Sequence, residues 1–199
     1  MLQQLHEKLV FGRRVRRLAA MVAERLPRNA RVLDVGAGSG DLAQLVMALR
    51  PDVQIEGVDV LVRPDTAILV HRYDGVTLPF EDGSFDAAVI IDVLHHTDNP
   101  GAVMAEAARV AKRLVVKDHF RDGFAAGFTL RLMDWVGNAA HGVRLPYNYL
   151  SRREWIGLWD AHGLSTDHFA DRLGLYPRPF GWLFDRKLHF VTILQRAAA

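Results

Sequence analysis

Three glycines, four carboxylates and three histidines have the types and spacing to do chemistry in this chain. The run Val32-Leu33-Asp34-Val35-Gly36-Ala37-Gly38-Ser39-Gly40-Asp41-Leu42-Ala43 reads as an apolar strand passing through a glycine turn into a helix. Gly36 permits the tight turn, Gly38 lets backbone approach a ligand with no Cβ in the way, and Gly40 lets the helix start close to the strand. Amides at that helix start can receive a carboxylate or a phosphate. A dinucleotide fingerprint would need glycine at position 41, where Asp41 stands and would repel a pyrophosphate. Asp59 ends the second apolar run, where a carboxylate can accept hydrogen bonds from both hydroxyls of a ribose. Asp74 follows the next run and Asp92 ends the fourth.

His95 and His96 come directly after the fourth strand, and His119 stands beside Asp118 after the fifth. That edge is where open α/β sheets bind ligands, and imidazole titrates near neutral pH, so each is a candidate general base. Adjacent side chains generally point in different directions, which predicts that at most one of His95 and His96 faces a bound ligand while the other is packed or solvated. The spacing of the three histidines does not support a metal site, and none is expected. The chain contains no cysteine, which excludes disulfides, thiolate zinc sites and a cysteine nucleophile.

These residues need a sheet to hold them. Strands are expected over residues 31–35, 53–60, 68–73, 86–92 and 114–117, with helices at 41–50 and 100–111 between them. Uniformly apolar strands alternating with helices imply a parallel sheet covered on both faces, a doubly wound α/β fold. Leu2, Leu5, Leu9, Val15, Leu18, Met21 and Val22 recur at helical spacing, so one or two amphipathic helices are expected over 2–26, with Gly12 as a candidate break. Within them Arg13, Arg14, Arg16 and Arg17 read as a solvated face in preference to a nucleic-acid or lipid patch. Further on, a helix is expected over 124–136 and another over 151–162, capped by Ser151 and stopped by Gly163. Strands over 166–172 and 188–195 should form an antiparallel pair. The aromatic residues between 119 and 160 read mostly as core, with Tyr147 and Tyr149 as candidate side walls of an acceptor pocket.

With 199 residues, 50% hydrophobic and 24% charged, the chain has the composition of one folded domain. It divides into an N-terminal helical segment (1–28), a core (30–120) and a C-terminal part (121–199). A net charge of +2 does not point to nucleic acid. No apolar run is long enough to cross a membrane, and the N-terminus does not read as a signal peptide, so a cytoplasmic location is expected.

The segments VLDVGAGSGDLA, GVDV, DGVTLPFEDGSFDAAVIIDVLHHTDNP and EAARVAKRLVVKDH together resemble the class I S-adenosylmethionine-dependent methyltransferases, in particular the small-molecule group called methyltransferase type 11. The resemblance covers about residues 30–120. It implies a Rossmann-like sheet of seven strands whose last strand is antiparallel, with S-adenosylmethionine as cofactor and a small-molecule acceptor. It further implies that Asp34, Gly36, Ala37 and Gly38 hold the methionine end. Asp59 and Val60 would meet the ribose side, Asp74 and Gly75 the adenine, and Asp92 with its neighbours would form the floor under the sulfonium. One departure stands out: the connection from Asp59 to Asp74 is too short and too proline-interrupted for the usual helix. Two other functions compete. A nucleic-acid methyltransferase would carry Asn/Asp-Pro-Pro-aromatic where this chain has Asp92-Val93-Leu94-His95, or a cysteine for base C5 chemistry. A non-catalytic module would bind the cofactor without turnover.

Overall fold

Alternate residues of each central strand feed two separate apolar cores, one on each face of a single sheet. A computed structural model describes residues 12–138, 147–177, 180–185 and 187–197; residues 2–11 of the expected N-terminal helix lie outside them. Helix α1 (Gly12–Arg25) is followed by β1 (Arg31–Val35), α2 (Asp41–Leu49), β2 (Gln54–Asp59), β3 (Val70–Arg72) and β4 (Ala87–Ile91). A 3₁₀ turn (Leu94–His96), α3 (Pro100–Val110), β5 (Arg113–His119) and α4 (Ala126–Asn138) come next. Then come α5 (Arg152–Ala161), β6 (Leu164–Ala170), α6 (Phe180–Phe184) and β7 (His189–Arg196).

The seven strands lie in the order β3-β2-β1-β4-β5-β7-β6. Strands β1 to β5 pair in parallel, and β7 runs antiparallel to both β5 and β6. The doubly wound class, the seven strands and the antiparallel pair all agree with the sequence. Leu33, Ala88, Ile90, Leu114 and Val116 pack under Met104 and Ala107 of α3 and Trp155 and Trp159 of α5. Their neighbours Val32, Ala87, Val89 and Val115 face Leu18, Met21 and Val22 of α1 and Val46 of α2. This alternation is the pleat expressed as burial. Ser151 caps α5 with a complete capping box with Glu154, and Gly163 follows at φ +63°.

Three expectations shift. Strand β3 spans only Val70–Arg72, because Ile68 turns aside to pack against Gly40. Strand β6 starts earlier, at Leu164, and has an irregularity between Thr166 and His168. Strand β5 runs on through Lys117 and Asp118 to His119, so His119 ends the strand instead of following it. Pairing with β7 continues to the partners His119 and His189, and the polar Lys-Asp-His sequence had disguised that length.

Candidate active site

The carboxyl edge of the parallel strands carries the candidate residues. After β1 the chain turns at Gly36 (φ +77°), whose amide, with that of Ala37, donates to Val58 O. A Cβ at Gly36 would come within 2.5 Å of the Val93 side chain, so glycine is required there by crowding as well as by φ. Gly38 differs: it also has positive φ (+58°), but a Cβ there would meet only the Arg63 guanidinium, at 3.7 Å. The space beside Gly38 is therefore open, as a loop that receives a ligand requires.

Asp59 ties this loop to the second strand. Its Oδ2 accepts the Gly38 N–H at 2.8 Å and its Oδ1 the Leu61 N–H at 2.9 Å. The 61–69 connection contains no helix and folds back on the glycine loop, with Ala67 N–H donating to Ser39 O at 2.7 Å. Gly40 is needed for this connection, since its Cβ would stand 2.6 Å from Ile68.

Beneath the loop Asp34 is buried, and burial, followed by the nearby Asp59 charge, pushes its carboxyl up to about 7. Asp74 lies beyond Asp59 on the neighbouring strand end, exposed, with Oδ1 accepting the Val76 and Thr77 amides at 2.8 Å each. Those amides hold its pKa below the ordinary value. Gly75 abuts Val60. Val60, Leu61 and Val76 leave apolar side chains exposed along this rim, which suits the flat face of a base.

Across the sheet from the glycine loop lies a buried polar cluster. Asp92, directly after β4, has a left-handed conformation (φ +58°), and its carboxylate pairs with both Lys117 of β5 and Arg14 of α1. Burial alone would raise the Asp92 carboxyl, but Lys117 and Arg14 outweigh it and hold it well below the carboxylate range. Lys117 is wholly buried, and burial lowers its ammonium despite Asp92. Its Nζ also lies 3.3 Å from His189 Nδ1 and 3.5 Å from His119 Nε2.

Asp118, also wholly buried, holds the next layer. Its Oδ2 accepts the Leu94 N–H at 3.1 Å, and its Oδ1 lies 2.7 Å from His95 Nδ1 and 3.2 Å from His119 Nδ1. Burial would raise the Asp118 carboxyl too, and His95 and His119 keep it low instead. An ionised carboxylate only accepts, which assigns the His95 proton to Nδ1 and leaves Nε2 as the basic atom. His119 and His189 stay neutral, since burial and then the Lys117 charge depress both well below the usual imidazole value.

The structure thus brings His95, His96 and His119 together, with ring centroids 4.0 Å apart for the adjacent pair and 4.8 Å for His95 and His119. The 3₁₀ turn keeps the two adjacent rings in contact, at an interplanar angle of 46°. His95 is buried and stacks on Tyr149 at 5.2 Å, while His96 is partly exposed. One ligand atom from each of His95, Asp118 and His119 falls within a 4.8 Å span. The Lys117 ammonium beside His119 opposes a cation there, so the set is better suited to holding protons than a metal. Tyr147 and Tyr149 border a cleft of about 360 Å³ with Arg121, Phe128 and Arg131. Phe120, Trp155 and Trp159 are core, as read from the sequence, whereas Phe124, Phe128 and Trp135 of the same aromatic group are exposed.

Arg14, Lys117, Asp118 and His189 escaped the sequence reading as site residues. A lysine and an aspartate inside the otherwise apolar Leu114–His119 were a usable signal. Nothing set Arg14 apart from its arginine neighbours.

Residues 4–168 match a family model described as a methyltransferase domain. The chain is 31% identical over 175 residues to a demethylmenaquinone methyltransferase of Renibacterium salmoninarum, covering 80% of this chain and 72% of that one. It is 31% identical over 111 residues to the 27-O-demethylrifamycin SV methyltransferase of Amycolatopsis mediterranei, covering 48% of this chain but spanning only 40% of that relative's length. Among solved structures, the 1,6-didemethyltoxoflavin-N1-methyltransferase of Burkholderia thailandensis, with S-adenosylhomocysteine bound, superposes with a TM-score of 0.65. The two are 20% identical, over 93% of this chain and 79% of that one, a likeness of fold.

Proposed function

The chain belongs to the class I S-adenosylmethionine-dependent methyltransferases, and on that premise we propose that it methylates an oxygen, nitrogen or carbon nucleophile of a small, apolar or aromatic acceptor. The family cofactor, when bound, supplies an electrophilic methyl group. What is left to the protein is alignment, exclusion of water and, for a protonated acceptor, removal of one proton.

The Asp59 carboxylate carries this assignment. It is already fixed by the Gly38 and Leu61 amides at the open side of the glycine loop, so it meets a ribose without rearrangement. Gly36, Ala37, Gly38 and Asp34 would hold the methionine end, with the Arg63 guanidinium near enough to Gly38 to face a carboxylate. Val60, Asp74 and Gly75 would border the adenine. The Asp92 carboxylate is committed to two cations, so its part would be to fix the end of β4 and the Val93 contact with Gly36.

His95 is the base we favour among the three histidines. Asp118 orients it, stabilises its imidazolium and leaves Nε2 to take the proton. His96 would border the acceptor, and neutral His119 would complete the wall. The Tyr149 ring borders the cleft and stacks on His95, so an acceptor in that cleft would meet His95 only if the Tyr149 ring moved aside. Asp92-Val93-Leu94-His95 in place of a Pro-Pro-aromatic sequence favours a small molecule over a nucleobase.

Calorimetry with S-adenosylmethionine and S-adenosylhomocysteine should show micromolar binding of both. Labelled-methyl transfer to a panel of phenols, quinols and amines should then find an acceptor. Binding without transfer across the panel would favour the non-catalytic reading, and no binding would remove the cofactor assignment.

A further inference from the structure

We propose that the carboxyl edge of the sheet docks on an anionic lipid bilayer, with the outer face of α4 in the interface and the first turns of α1 over the headgroups. Helix α4 buries Ala126 and Leu130 against Tyr149 and Leu188. On the opposite side Phe128 (72% exposed), Leu132 (43%) and Trp135 (60%) form a stripe at i, i+4 and i+7 spacing, and Phe124 (93%) stands in the turn just before the helix. Large apolar side chains this exposed, aligned along one helix face, mark a surface that something apolar covers. Trp182 (81% exposed) stands on α6, which precedes β7 at the same edge. Tryptophan is the residue enriched where hydrocarbon meets headgroup.

Charge selects the occupant. The ion pair of Arg14 with Asp92 fixes the start of α1 at this edge. Arg13, Arg16 and Arg17 are exposed on its first turns, with no acidic residue in the first turn. Arg131 lies between the apolar residues of the α4 stripe. An edge that presents arginines on α1 and exposed Phe and Trp on and next to α4 and α6 matches an anionic interface, where each basic side chain adds to binding and aromatic rings insert at headgroup depth. It also gives the arginine cluster, read from sequence as merely solvated, a partner. Docked in this way, the cleft bordered by Phe128, Arg131, Tyr147 and Tyr149 would open toward the bilayer.

Vesicles of phosphatidylcholine with and without phosphatidylglycerol test this on the full chain, with no need for an acceptor or for turnover. The wild-type chain should sediment with phosphatidylglycerol vesicles, be released by high salt, and shift its tryptophan emission to the blue through Trp135 and Trp182. Arg13→Gln/Arg16→Gln/Arg17→Gln should weaken binding by about 10²-fold. Phe124→Ser/Trp135→Ser should weaken it by about tenfold or more, with S-adenosylmethionine affinity and circular dichroism unchanged. Wild-type protein left in the supernatant with anionic vesicles would overturn the proposal, as would wild-type binding by both variants. A concentration-dependent dimer without vesicle binding would overturn it too, and would assign the α4 stripe to a second copy of the chain.

Discussion

His95 Nδ1 lies 2.7 Å from Asp118 Oδ1, and the two side chains are 1% and 0% exposed. A carboxylate held this way by a buried imidazole, two backbone amides and a second histidine has no other conformation available at low cost. Asp118→Asn should keep the fold but release the His95 tautomer, lowering turnover by about 10²- to 10⁴-fold with cofactor affinity little changed. His95→Ala should do the same and remove the acidic limb of the pH profile. If His95→Ala, His96→Ala and His119→Ala each turn over like the wild type across that range, the acceptor needs no base.

Asp59→Ala should weaken S-adenosylmethionine binding by about 1.5 to 3 kcal/mol, the scale for hydrogen bonds to a charged acceptor. Because Asp59 also holds the Gly38 and Leu61 amides, part of that loss should appear as a lower Tm. Unaltered affinity in calorimetry would take Asp59 out of the ribose role.

Gly38→Val should abolish cofactor binding while the chain still folds. A Cβ at Gly38 meets no protein atom closer than the flexible Arg63 guanidinium at 3.7 Å, so the main folding penalty is the positive φ, about 1 to 2 kcal/mol, whereas the side chain would fill the open ligand side. Normal binding by the folded variant would mean that the ligand approaches elsewhere.

Asp34 makes stability depend on pH in a stated direction. Its folded pKa of about 7 lies above its ordinary value of 3.8, so the buried charge destabilises the fold as pH rises above about 4, with the full effect reached above about 7. Asp34→Asn should therefore melt higher than wild type at pH 8 and alongside it at pH 4. Equal melting shifts at both pH values would show that Asp34 is not buried as a titrating acid.

Lys117→Met removes one of the two cations from half-buried Asp92, which keeps Arg14, and should cost less than the roughly 3 to 5 kcal/mol of a fully unpaired buried charge in denaturant unfolding. Adding Asp92→Asn should restore part of it, since the carboxylate that lost one of its two cations is then neutral. Additive losses in the two single variants would deny the coupling.

The sequence by itself determined the element types and the glycine loop, because both are written in local patterns. Apolar runs such as Ala87–Ile91 announce strands buried on both faces, and Gly36 and Gly38 announce a turn that residues with a Cβ would resist. The proline-interrupted link after Asp59 announced a missing helix for the same local reason. Only the tertiary structure decided which side chains meet. His189 reaches His119 because the antiparallel register of β7 sets the two opposite each other, and a shift of one residue would turn His189 to the other face. Arg14 is the one of the four nearby arginines that pairs with Asp92, a contact set by the packing of α1 on the sheet. Lys117 and Asp118 looked like the polar end of a strand; the continued pairing with β7 buried both, and burial turned ordinary charges into a fixed network around the histidines.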